Sequence, residues 1–554
     1  MSAQAANVET DKSTERGKSV RHVRATDDRH AADAYALYAA TDNEERMVQI
    51  ARPFSVLSVS TYSAAILPPL GLAYLAAVLR KAGYPVGIID AQGEDISRVR
   101  VSECGRYHIQ GIGIDDMIDL VDPRTTVLGV SLMFSQEWLP QRDFIQRVKA
   151  RYPHLTIVVG GEHPTALPEY CLRDCPEIDY LVTGEGEMTF LELTYRIFHG
   201  LDAKDVSGVS MLDEDGTFIS NGLSGRITHI DDLPRPAWDL CKVENYFQPN
   251  WAMGIGMGRH MPILATRGCP YQCTFCSNPL MWTTRYKMRD PIDVADEIEY
   301  LVNTYNATSI DFFDLTAIVK REWTLDFCNE LKKRDLNITW QLPSGTRSEA
   351  LDDETLQALH DTGCRLITYA PESGSEETLI RIKKKLKLST IVESIKTAKR
   401  IGHTIKINLV IGFPDDTVKD TMKTIVFAVK MALAGVDDCN ISIFSPYPGS
   451  ELYNRLREEG RLPEPNDEYI YSLVVYFDLT KTVSYCDNVG GRALAMSRLL
   501  VYMLFYSTAY ARYPSRIWRV FKQVLGKRTA FKPANVLEQR LYDIYARQHG
   551  ASKV

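Results

Sequence analysis

The 554-residue sequence lacks the features that mark polyanion-binding, secreted and membrane-spanning proteins. Lysine and arginine number 64 against 71 aspartates and glutamates, a net charge of -7, so there is no basic surplus to attract nucleic acid. Residues 1–17 are polar and contain no apolar stretch of the kind found in secretory signals. The longest uncharged apolar run, 499–511, is shorter than the about 20 residues that span a bilayer. We therefore expect a cytoplasmic globular protein with no nucleic-acid partner.

The chain is longer than one hydrophobic core usually serves, which predicts several domains. Residues 1–45 are polar and mixed in charge, which predicts a disordered tail. Across 50–205, strand-like runs such as FSVLSVS and VGIID alternate with helix-like runs such as PPLGLAYLAAVLRKAGY. This alternation predicts an α/β domain with a doubly wound, Rossmann-like parallel sheet. Residues 206–260 are rich in glycine, proline and aromatic residues and are interpreted as a connector.

A second α/β unit is predicted at residues 261–462. The strand MPILATR opens it, and the runs ATSIDFFD, NITWQLPS, CRLITYAPE, TIKINLVIGF and CNISIFSPYP follow with helices between them, which indicates a partial or full barrel. Residues 463–554 are predicted to be mostly helical. Within them, Ile517, Val520, Phe521 and Val524 recur at helical spacing between basic residues. This helix either packs on the barrel or makes weak contact with a membrane surface.

Three of the eleven cysteines are regularly spaced. The segment ATRGCPYQCTFCSNP places Cys269, Cys273 and Cys276 in a C-x3-C-x2-C array directly after a strand. Three thiolates from one short loop can bind three irons of a [4Fe-4S] cubane and leave the fourth iron open. The alternative is a structural zinc site, which would need a fourth ligand and usually a second ligand pair; no such pair is suitably spaced, and His260 precedes the strand.

This cysteine spacing, with Phe275 before the last cysteine, resembles the signature of the radical S-adenosylmethionine superfamily over residues 261–461. The resemblance implies that the open iron binds S-adenosylmethionine and that strand-end residues contact this cofactor. Asp314 in FFD takes the place of the contact to the amino group, although the usual Gly-Gly-Glu is missing. The other implied contacts are Arg347 for the carboxylate, Glu372 and Ser373 as polar contacts, and Gly412 beside the adenine. A helix N-cap is a second interpretation of Ser373.

The first domain resembles the cobalamin-binding domain of cobalamin-dependent (class B) radical enzymes over residues 54–200, through PPLGLAYLAAVLRKAGYPVGIIDA, VVGGEHPT and VTGEGEMTF. The resemblance implies that residues at or after strand ends approach the corrinoid, namely Ser131, Gly160, Gly161, Gly184 and Gly186. Ordinary turn chemistry is the other explanation for the glycines. The histidine motif Asp-x-His-x-x-Gly is absent, so we expect no histidine ligand on cobalt.

Together these resemblances imply a methyltransferase. One S-adenosylmethionine would methylate the corrinoid and a second would supply the radical, so that methylcobalamin gives its methyl group to an unactivated carbon or a phosphinate phosphorus of a small-molecule substrate in secondary metabolism. An external one-electron reductant of the flavodoxin or ferredoxin type is implied as a partner. The alternative is a cobalamin-dependent oxidative cyclase or rearrangement enzyme, similar to magnesium-protoporphyrin monomethyl ester cyclase.

Two other classes fit the residues less well. A tRNA methylthiotransferase would need a second three-cysteine site and a basic RNA-binding module, and the sequence contains neither. A corrinoid carrier without catalysis would not need the cysteine triad.

Overall fold

A computed structural model describes residues 31–40, 45–58, 66–247, 255, 258–475, 478 and 481–517. Within these residues the chain forms two large parallel sheets, one in each half, with helices packed on them. This arrangement confirms the predicted α/β class. No helix in these ranges is long and apolar enough to cross a membrane.

The first sheet has seven strands in the order β10-β9-β8-β7-β6-β1-β3, counted over the described residues. Strands β8, β7, β6, β1 and β3 run parallel, and β9 and β10 are antiparallel additions. The strands are β1 (Met47–Arg52), β3 (Val86–Asp90), β6 (Thr125–Ser131), β7 (Thr156–Gly160), β8 (Tyr180–Val182), β9 (Val209–Leu212) and β10 (Phe218–Ser220). The sheet therefore continues beyond residue 205, into the segment interpreted as a connector.

The assignment of FSVLSVS as the first strand of this sheet is wrong. The central strand is β1, and Ser55–Ser58 (β2) instead pairs with Tyr107–Gln110 (β5), which also pairs with Val99–Val101 (β4). Sequence reasoning missed β1 because Gln49 interrupts its apolar character. In the structure Gln49 is buried, and its amide oxygen accepts hydrogen bonds from Thr125 Oγ1 and the Asp122 backbone N–H.

Helices cover both faces of the first sheet. They are α1 (Ala31–Leu37), α2 (Leu70–Lys81), α3 (Ala91–Glu94), α4 (Ile114–Asp119), α5 (Trp138–Arg151), α6 (Glu162–Ala166), α7 (Pro168–Asp174) and α8 (Gly186–Phe198). Helix α1 lies within the predicted disordered tail, yet Ala34 and Tyr35 are buried, and the Lys81 ammonium lies 4.2 Å from the centroid of the Tyr35 ring. This part of 1–45 packs on the domain, and residues 1–30 lie outside the described residues.

The second sheet is a partial barrel of six parallel strands among the described residues, arranged in chain order. The strands are β11 (His260–Ile263), β14 (Ser309–Phe312), β15 (Thr339–Thr346), β16 (Cys364–Glu372), β17 (Thr404–Ile411) and β18 (Asp438–Ile443). The connecting helices are α10 (Pro291–Tyr305), α11 (Arg321–Arg334), α12 (Asp353–Asp361), α13 (Glu376–Arg381), α14 (Leu388–Ile401) and α15 (Val418–Ala434). Chain-order pairing is what repeated strand-helix-strand units produce, because each right-handed crossover adds the next strand beside the last.

A small hairpin interrupts the connection between β11 and α10. It consists of β12 (Thr266–Arg267) and β13 (Lys287–Met288), with α9 (Asn278–Met281) between them. The three cysteines of the C-x3-C-x2-C array therefore lie on a loop at the carboxyl end of the first barrel strand.

After the last barrel strand comes α16 (Glu451–Glu458), and the described helices of the C-terminal region include α17 (Asp467–Val474) and α18 (Gly491–Arg512), with non-helical residues at 478 and 481–490 between them. The apolar run 499–511 lies in α18, which packs against α15 and along the edge of β18. Val501, Phe505 and Ala509 form its buried face. The basic helix predicted at 514–528 falls mostly outside the described residues, so its interpretation stays a prediction.

Candidate functional site

The carboxyl ends of the two sheets meet each other. The backbone N–H of Ser135, which follows β6, donates to the hydroxyl of Tyr447, which follows β18, at 2.7 Å. The same hydroxyl donates to Gln136 Oε1 at 2.9 Å. Beside this contact, Ser277 donates to the carboxylate of Glu162, which follows β7. The loops predicted to contact cobalamin and the loop that carries the cysteines therefore face one another.

A buried ion-pair network also joins the two domains. Arg267, two residues before the first cysteine, donates to Glu187 Oε1 at 2.7 Å and to Glu185 Oε1 at 3.3 Å. Arg226 lies 3.0 Å from the other oxygen of Glu185. The side chains of Arg267 and Glu185 are 2% and 0% exposed, so water screens these charges little. Since both glutamates lie at the start of α8, the network ties the cysteine hairpin to the carboxyl end of β8.

Asp314 holds the start of the cysteine loop. Its Oδ1 accepts hydrogen bonds from the backbone N–H and the hydroxyl of Thr266, both at 2.5 Å, and its Oδ2 accepts from the Ala265 N–H at 3.2 Å. Burial raises the pKa of this carboxyl to about 6 against those bonds. These donors occupy the carboxylate, so the structure gives Asp314 a positioning role. Its predicted contact with the amino group of S-adenosylmethionine stays a prediction.

The three thiols lie within one loop and are partly buried. Burial raises the pKa of Cys269 and Cys273, and that of Cys276 to about 12. Nearby cations act in the opposite sense: Lys384 and Arg347 lower the pKa of Cys269 and Cys273. No three His, Cys, Asp or Glu side chains in the described part of the chain converge on one metal ion. A cubane takes one thiolate at each of three irons, so this loop of three thiols, with two cations beside it, fits such a cluster.

Arg347 lies beside the cysteine loop and is fixed by the segment after α13. Its guanidinium donates to the carbonyl oxygens of Lys384 and Lys385, at 2.8 and 2.6 Å, and to Glu349. The guanidinium carbon lies 3.7 Å from the ring centroid of Tyr271, which stands between the first two cysteines. The structure therefore places Arg347 beside the cysteine loop, and its bond to a cofactor carboxylate stays a prediction.

Glu372 has a buried partner that sequence reasoning missed. Lys384 donates to Glu372 Oε1 at 2.8 Å, and the two side chains are 9% and 10% exposed. Glu372 adopts φ +65°, a conformation that non-glycine residues avoid and that often accompanies function. The Lys384 ammonium also lies 6.0 Å from the Phe275 ring centroid. Lys384 belongs to the run IRIKKKLK, and such a run ordinarily indicates exposed surface, so the sequence offers little signal for it.

Ser373 and Gly412 have structural contacts of their own. Ser373 Oγ lies 3.1 Å from Thr424 Oγ1, and the N-cap of α13 is Ser375, so the N-cap interpretation of Ser373 is wrong. Gly412 has φ +79°, and a Cβ there would lie 2.6 Å from Leu494 of α18. The absence of a side chain at Gly412 therefore allows Leu494 of α18 to pack against its backbone. A contact of either residue with S-adenosylmethionine stays a prediction.

The residues predicted to contact cobalamin lie along one edge of the first sheet. Ser131 and Gly160 are paired at the carboxyl ends of β6 and β7. A Cβ on Gly160 would meet its nearest neighbour at 3.6 Å, whereas Gly161 has φ +125° and its Cβ would lie 2.6 Å from the Leu132 carbonyl oxygen. Gly161 is therefore required by the turn, whereas a Cβ on Gly160 would fit in ordinary van der Waals contact. A contact of either glycine with cobalamin stays a prediction.

Gly184 and Gly186 stand at the neighbouring strand end. The Gly184 N–H donates to Thr165 Oγ1 at 3.0 Å, and Gly186 is the first residue of α8. Three adjacent parallel strands, β6, β7 and β8, thus present small residues at their carboxyl ends, which is where doubly wound sheets bind ligands. The set of residues fits a broad, flat group such as a corrinoid.

His163 follows the Gly-Gly turn but lies in the core. Its ring is fully buried, and its centroid lies 5.2 Å from that of the Trp138 ring. Nδ1 is 2.9 Å from Ser135 Oγ, and burial lowers the pKa of the imidazole to about 3. His163 therefore supports the loop after β6. The expectation that no histidine ligates cobalt stays a prediction.

Two family models match the chain in the order of its two sheets. Residues 58–194 match the B12 binding domain and residues 263–428 match the radical SAM superfamily.

Curated relatives extend the likeness across most of the chain. An uncharacterised methyltransferase of Pyrococcus horikoshii is 30% identical over 387 residues, which cover 70% of this chain and 78% of the relative. Cytidylyl-2-hydroxyethylphosphonate methyltransferase of Streptomyces wedmorensis is 27% identical over 71% of this chain and 78% of its own. Anaerobic magnesium-protoporphyrin IX monomethyl ester cyclase of Rubrivivax gelatinosus is 26% identical over 71% of this chain and 67% of its own.

Solved structures share the fold at lower identity. OxsB, solved with aqua-cobalamin and S-adenosylmethionine bound, is 17% identical with a TM-score of 0.60 over 91% of this chain and 71% of that chain. The radical S-adenosylmethionine methyltransferase TsrM from Kitasatospora setae, solved with cobalamin and a [4Fe-4S] cluster, is 17% identical with a TM-score of 0.56 over 75% of each chain. With the two matched domains and the 30% identical relative, these likenesses show that the chain belongs to the methyltransferase-like group of the cobalamin-dependent radical S-adenosylmethionine enzymes.

Proposed function

We propose that this protein transfers a methyl group from S-adenosylmethionine, by way of cobalamin, to an unactivated carbon or a phosphinate phosphorus of a small molecule in secondary metabolism. The observation that carries the proposal is the meeting of the two strand-end edges, through Tyr447 with Ser135 and Glu162 with Ser277. A methyl carrier and a radical source must act on one substrate at short range. Loops that touch across the two domains meet that requirement.

The site residues are proposed in three groups. Cys269, Cys273 and Cys276 bind the [4Fe-4S] cluster. Residues near that loop contact S-adenosylmethionine: Phe275, Asp314, Arg347, Glu372, Ser373 and Gly412. Residues at the facing edge contact cobalamin: Ser131, Gly160, Gly161, Gly184 and Gly186. When bound, these cofactors supply the methyl group and the radical chemistry, and the protein supplies orientation and electrostatics.

The residues of the chain shape this site in two ways. Lys384 and Arg347 place positive charge beside Cys269 and Cys273, which favours the ionised, metal-binding form of these two thiols. The buried contacts of Arg267 with Glu185 and Glu187 fix the cysteine hairpin against the first domain. Two electrons are needed for each methyl transfer, one for radical formation and one to restore the cobalamin. We propose a flavodoxin- or ferredoxin-type protein as their source.

Radical cyclisation or rearrangement is the second candidate function. It is favoured by the likeness to the Rubrivivax gelatinosus cyclase, which covers 71% of this chain. A cyclase would change bonds within its substrate without adding a methyl carbon, so the two candidates differ in the mass of the product.

The test is to supply the anaerobically reconstituted protein with S-adenosylmethionine that carries a CD3 methyl group, a low-potential reductant and a small-molecule extract. A methyltransferase gives products that carry CD3, each with one S-adenosylhomocysteine and, where hydrogen is abstracted, one 5′-deoxyadenosine. The variant in which Cys269, Cys273 and Cys276 are all alanine is the matched control, and it should form neither labelled product nor 5′-deoxyadenosine. A product without label, formed with 5′-deoxyadenosine alone, would identify the cyclase instead.

A further inference from the structure

The interior of the barrel is open, although its strands are covered outside. Along β17 the outward residues Ile405, Ile407 and Leu409 are at most 1% exposed. The residues between them, Lys406 and Asn408, remain partly exposed. Because β17 is hydrogen-bonded on both sides, to β16 and to the edge strand β18, and its outward face is buried, this exposure places open space on the inner face of the sheet.

Polar side chains on three adjacent strands line this cavity. Lys406 is paired with Thr368 on one side and with Asp438 on the other, and Asn408 is paired with Asn440. Residues opposite each other in a parallel ladder project to the same face. Where a barrel interior serves only as a core, branched apolar residues fill it. A layer of lysine, amide, hydroxyl and carboxylate groups is therefore typical of a binding site.

Several of these groups have unused hydrogen-bonding capacity within the described residues. Thr368 is fully buried and its Oγ1 has no partner, and Asn408 Oδ1 is buried without one. The Lys406 ammonium lies 3.9 Å from Asp438 Oδ2, beyond hydrogen-bonding distance. Asp438 instead accepts a hydrogen bond of 2.6 Å from Tyr506 of α18 through its other oxygen. Thr368 Oγ1 and Asn408 Oδ1 have almost no accessible surface, so the group that a ligand can reach is Lys406, whose side chain is 25% exposed.

A separate polar network lies toward the amino end of the barrel. Gln341 donates to Asp311 Oδ1 at 2.7 Å and accepts from the Ile255 N–H at 3.0 Å. His260 Nδ1 lies 3.4 Å from the same carboxylate oxygen. Ile255, which precedes β11, thus lies at this end, and the polar layer lies between this network and the cysteine loop at the carboxyl end.

We propose that this cavity is the substrate pocket and that it selects a small acid bearing a hydroxyl or amino group. Lys406 would pair with the carboxylate or phosphoryl group, because a lysine ammonium with free donors is a strong site for a compact anion. The partly exposed Asn408 would donate a hydrogen bond from its amide Nδ2 to the hydroxyl oxygen or amino nitrogen. That the bound acid is the substrate rests on the proposed methyl transfer. Its binding can be measured without turnover.

The experiment uses the holoenzyme and four probes observed by fluorine NMR: 4-fluorobenzoate, 4-fluorophenylphosphonate, the neutral 4-fluorobenzamide and 4-fluorophenol. We expect wild type to bind an acidic probe and Lys406→Met to bind it at least about tenfold more weakly, which corresponds to about 1.4 kcal/mol. Lys406→Arg should retain binding, and the neutral probes should not respond to either change. Broadening of the fluorine signal by paramagnetic cob(II)alamin places the probe near the cofactor. The two acids separate a carboxylate site from a phosphoryl site.

The matched control is Lys396→Met, which removes an exposed lysine of α14 that is paired with Glu393, and its probe binding should equal that of wild type. Equal binding of the acidic probes by wild type and Lys406→Met would overturn the proposal. So would weaker binding of S-adenosylmethionine to Lys406→Met and Lys406→Arg, because the pocket would then belong to that cofactor. A failure of CD3 transfer with normal probe binding would count against the proposed function alone.

Discussion

Replacing Arg267 with methionine tests whether the buried network holds the two domains together. Methionine keeps most of the side-chain volume and removes the charge. Glu187 then loses its 2.7 Å partner, and Glu185 keeps only Arg226 among the ion pairs of the described residues. Removing one partner of a buried pair costs about 3–5 kcal/mol, because a charge remains in a site that water cannot reach. We expect the free energy of unfolding to fall by that amount.

The measurement is urea unfolding of the reconstituted protein, followed by circular dichroism and tryptophan fluorescence. Arg321→Met is the matched control, because Arg321 pairs with Asp352 at 2.7 Å but the two side chains are 37% and 50% exposed. Exposed pairs contribute about 0–1 kcal/mol, so this control should lose no more than that. The double variant Arg267→Met with Glu187→Gln should recover about 1–3 kcal/mol, since it removes the stranded charge.

The loss should also depend on pH. Burial already raises the pKa of Glu185 in the wild-type protein, and Arg267 opposes that rise. Without Arg267 the folded-state pKa rises further above the unfolded value. A carboxyl whose pKa is higher in the folded than in the unfolded state stabilises the folded state at low pH, and this stabilisation is lost as pH rises through the folded-state pKa. The variant should therefore be closer to wild type at pH 5.5 than at pH 8. A loss below about 1 kcal/mol at pH 8, equal to that of Arg321→Met, would refute the role of the network.

Three further outcomes are expected. Gly161→Ala should destabilise the fold by about 1–3 kcal/mol, because its φ of +125° and the Leu132 carbonyl exclude a Cβ. Gly160→Ala should fold normally yet weaken cobalamin binding in absorbance titrations. Equal behaviour of the two variants would contradict the different roles given to these two glycines. The pKa of His163 is lowered to about 3, so the stability that its neutral ring contributes is lost as pH falls below about 6.5, the pKa in the unfolded state. Between pH 7.5 and pH 5 the free energy of unfolding of His163→Gln should therefore fall by about 2 kcal/mol less than that of wild type in unfolding titrations. Lys384→Met removes a positive charge beside Cys269 and Cys273, so the cluster should become harder to reduce in a titration followed by electron spin resonance, and an unchanged midpoint would show that Lys384 does not act on the cluster.

Local pattern was enough to predict most of the barrel. A strand of the parallel sheet overlaps each of the runs ATSIDFFD, NITWQLPS, CRLITYAPE, TIKINLVIGF and CNISIFSPYP. Their alternation with helices implies parallel pairing, because a crossover connection returns the chain in the same direction. The strands of the first sheet were harder to predict from the sequence. β1 contains Gln49, whose burial depends on Thr125 and Asp122 from a distant part of the chain.

The sequence by itself determined the chemistry available to this protein, since three closely spaced cysteines and glycines after predicted strands depend on neighbours along the chain. Only the tertiary structure decided which charges serve that chemistry. Lys384 reaches Glu372 and the thiols across twelve or more residues, and Arg267 meets Glu185 and Glu187 from the other domain. Asp314 proved to hold the cysteine loop, because Ala265 and Thr266 turn their donors toward it. Burial and long-range approach set these roles, and neither is encoded in the spacing of nearby residues.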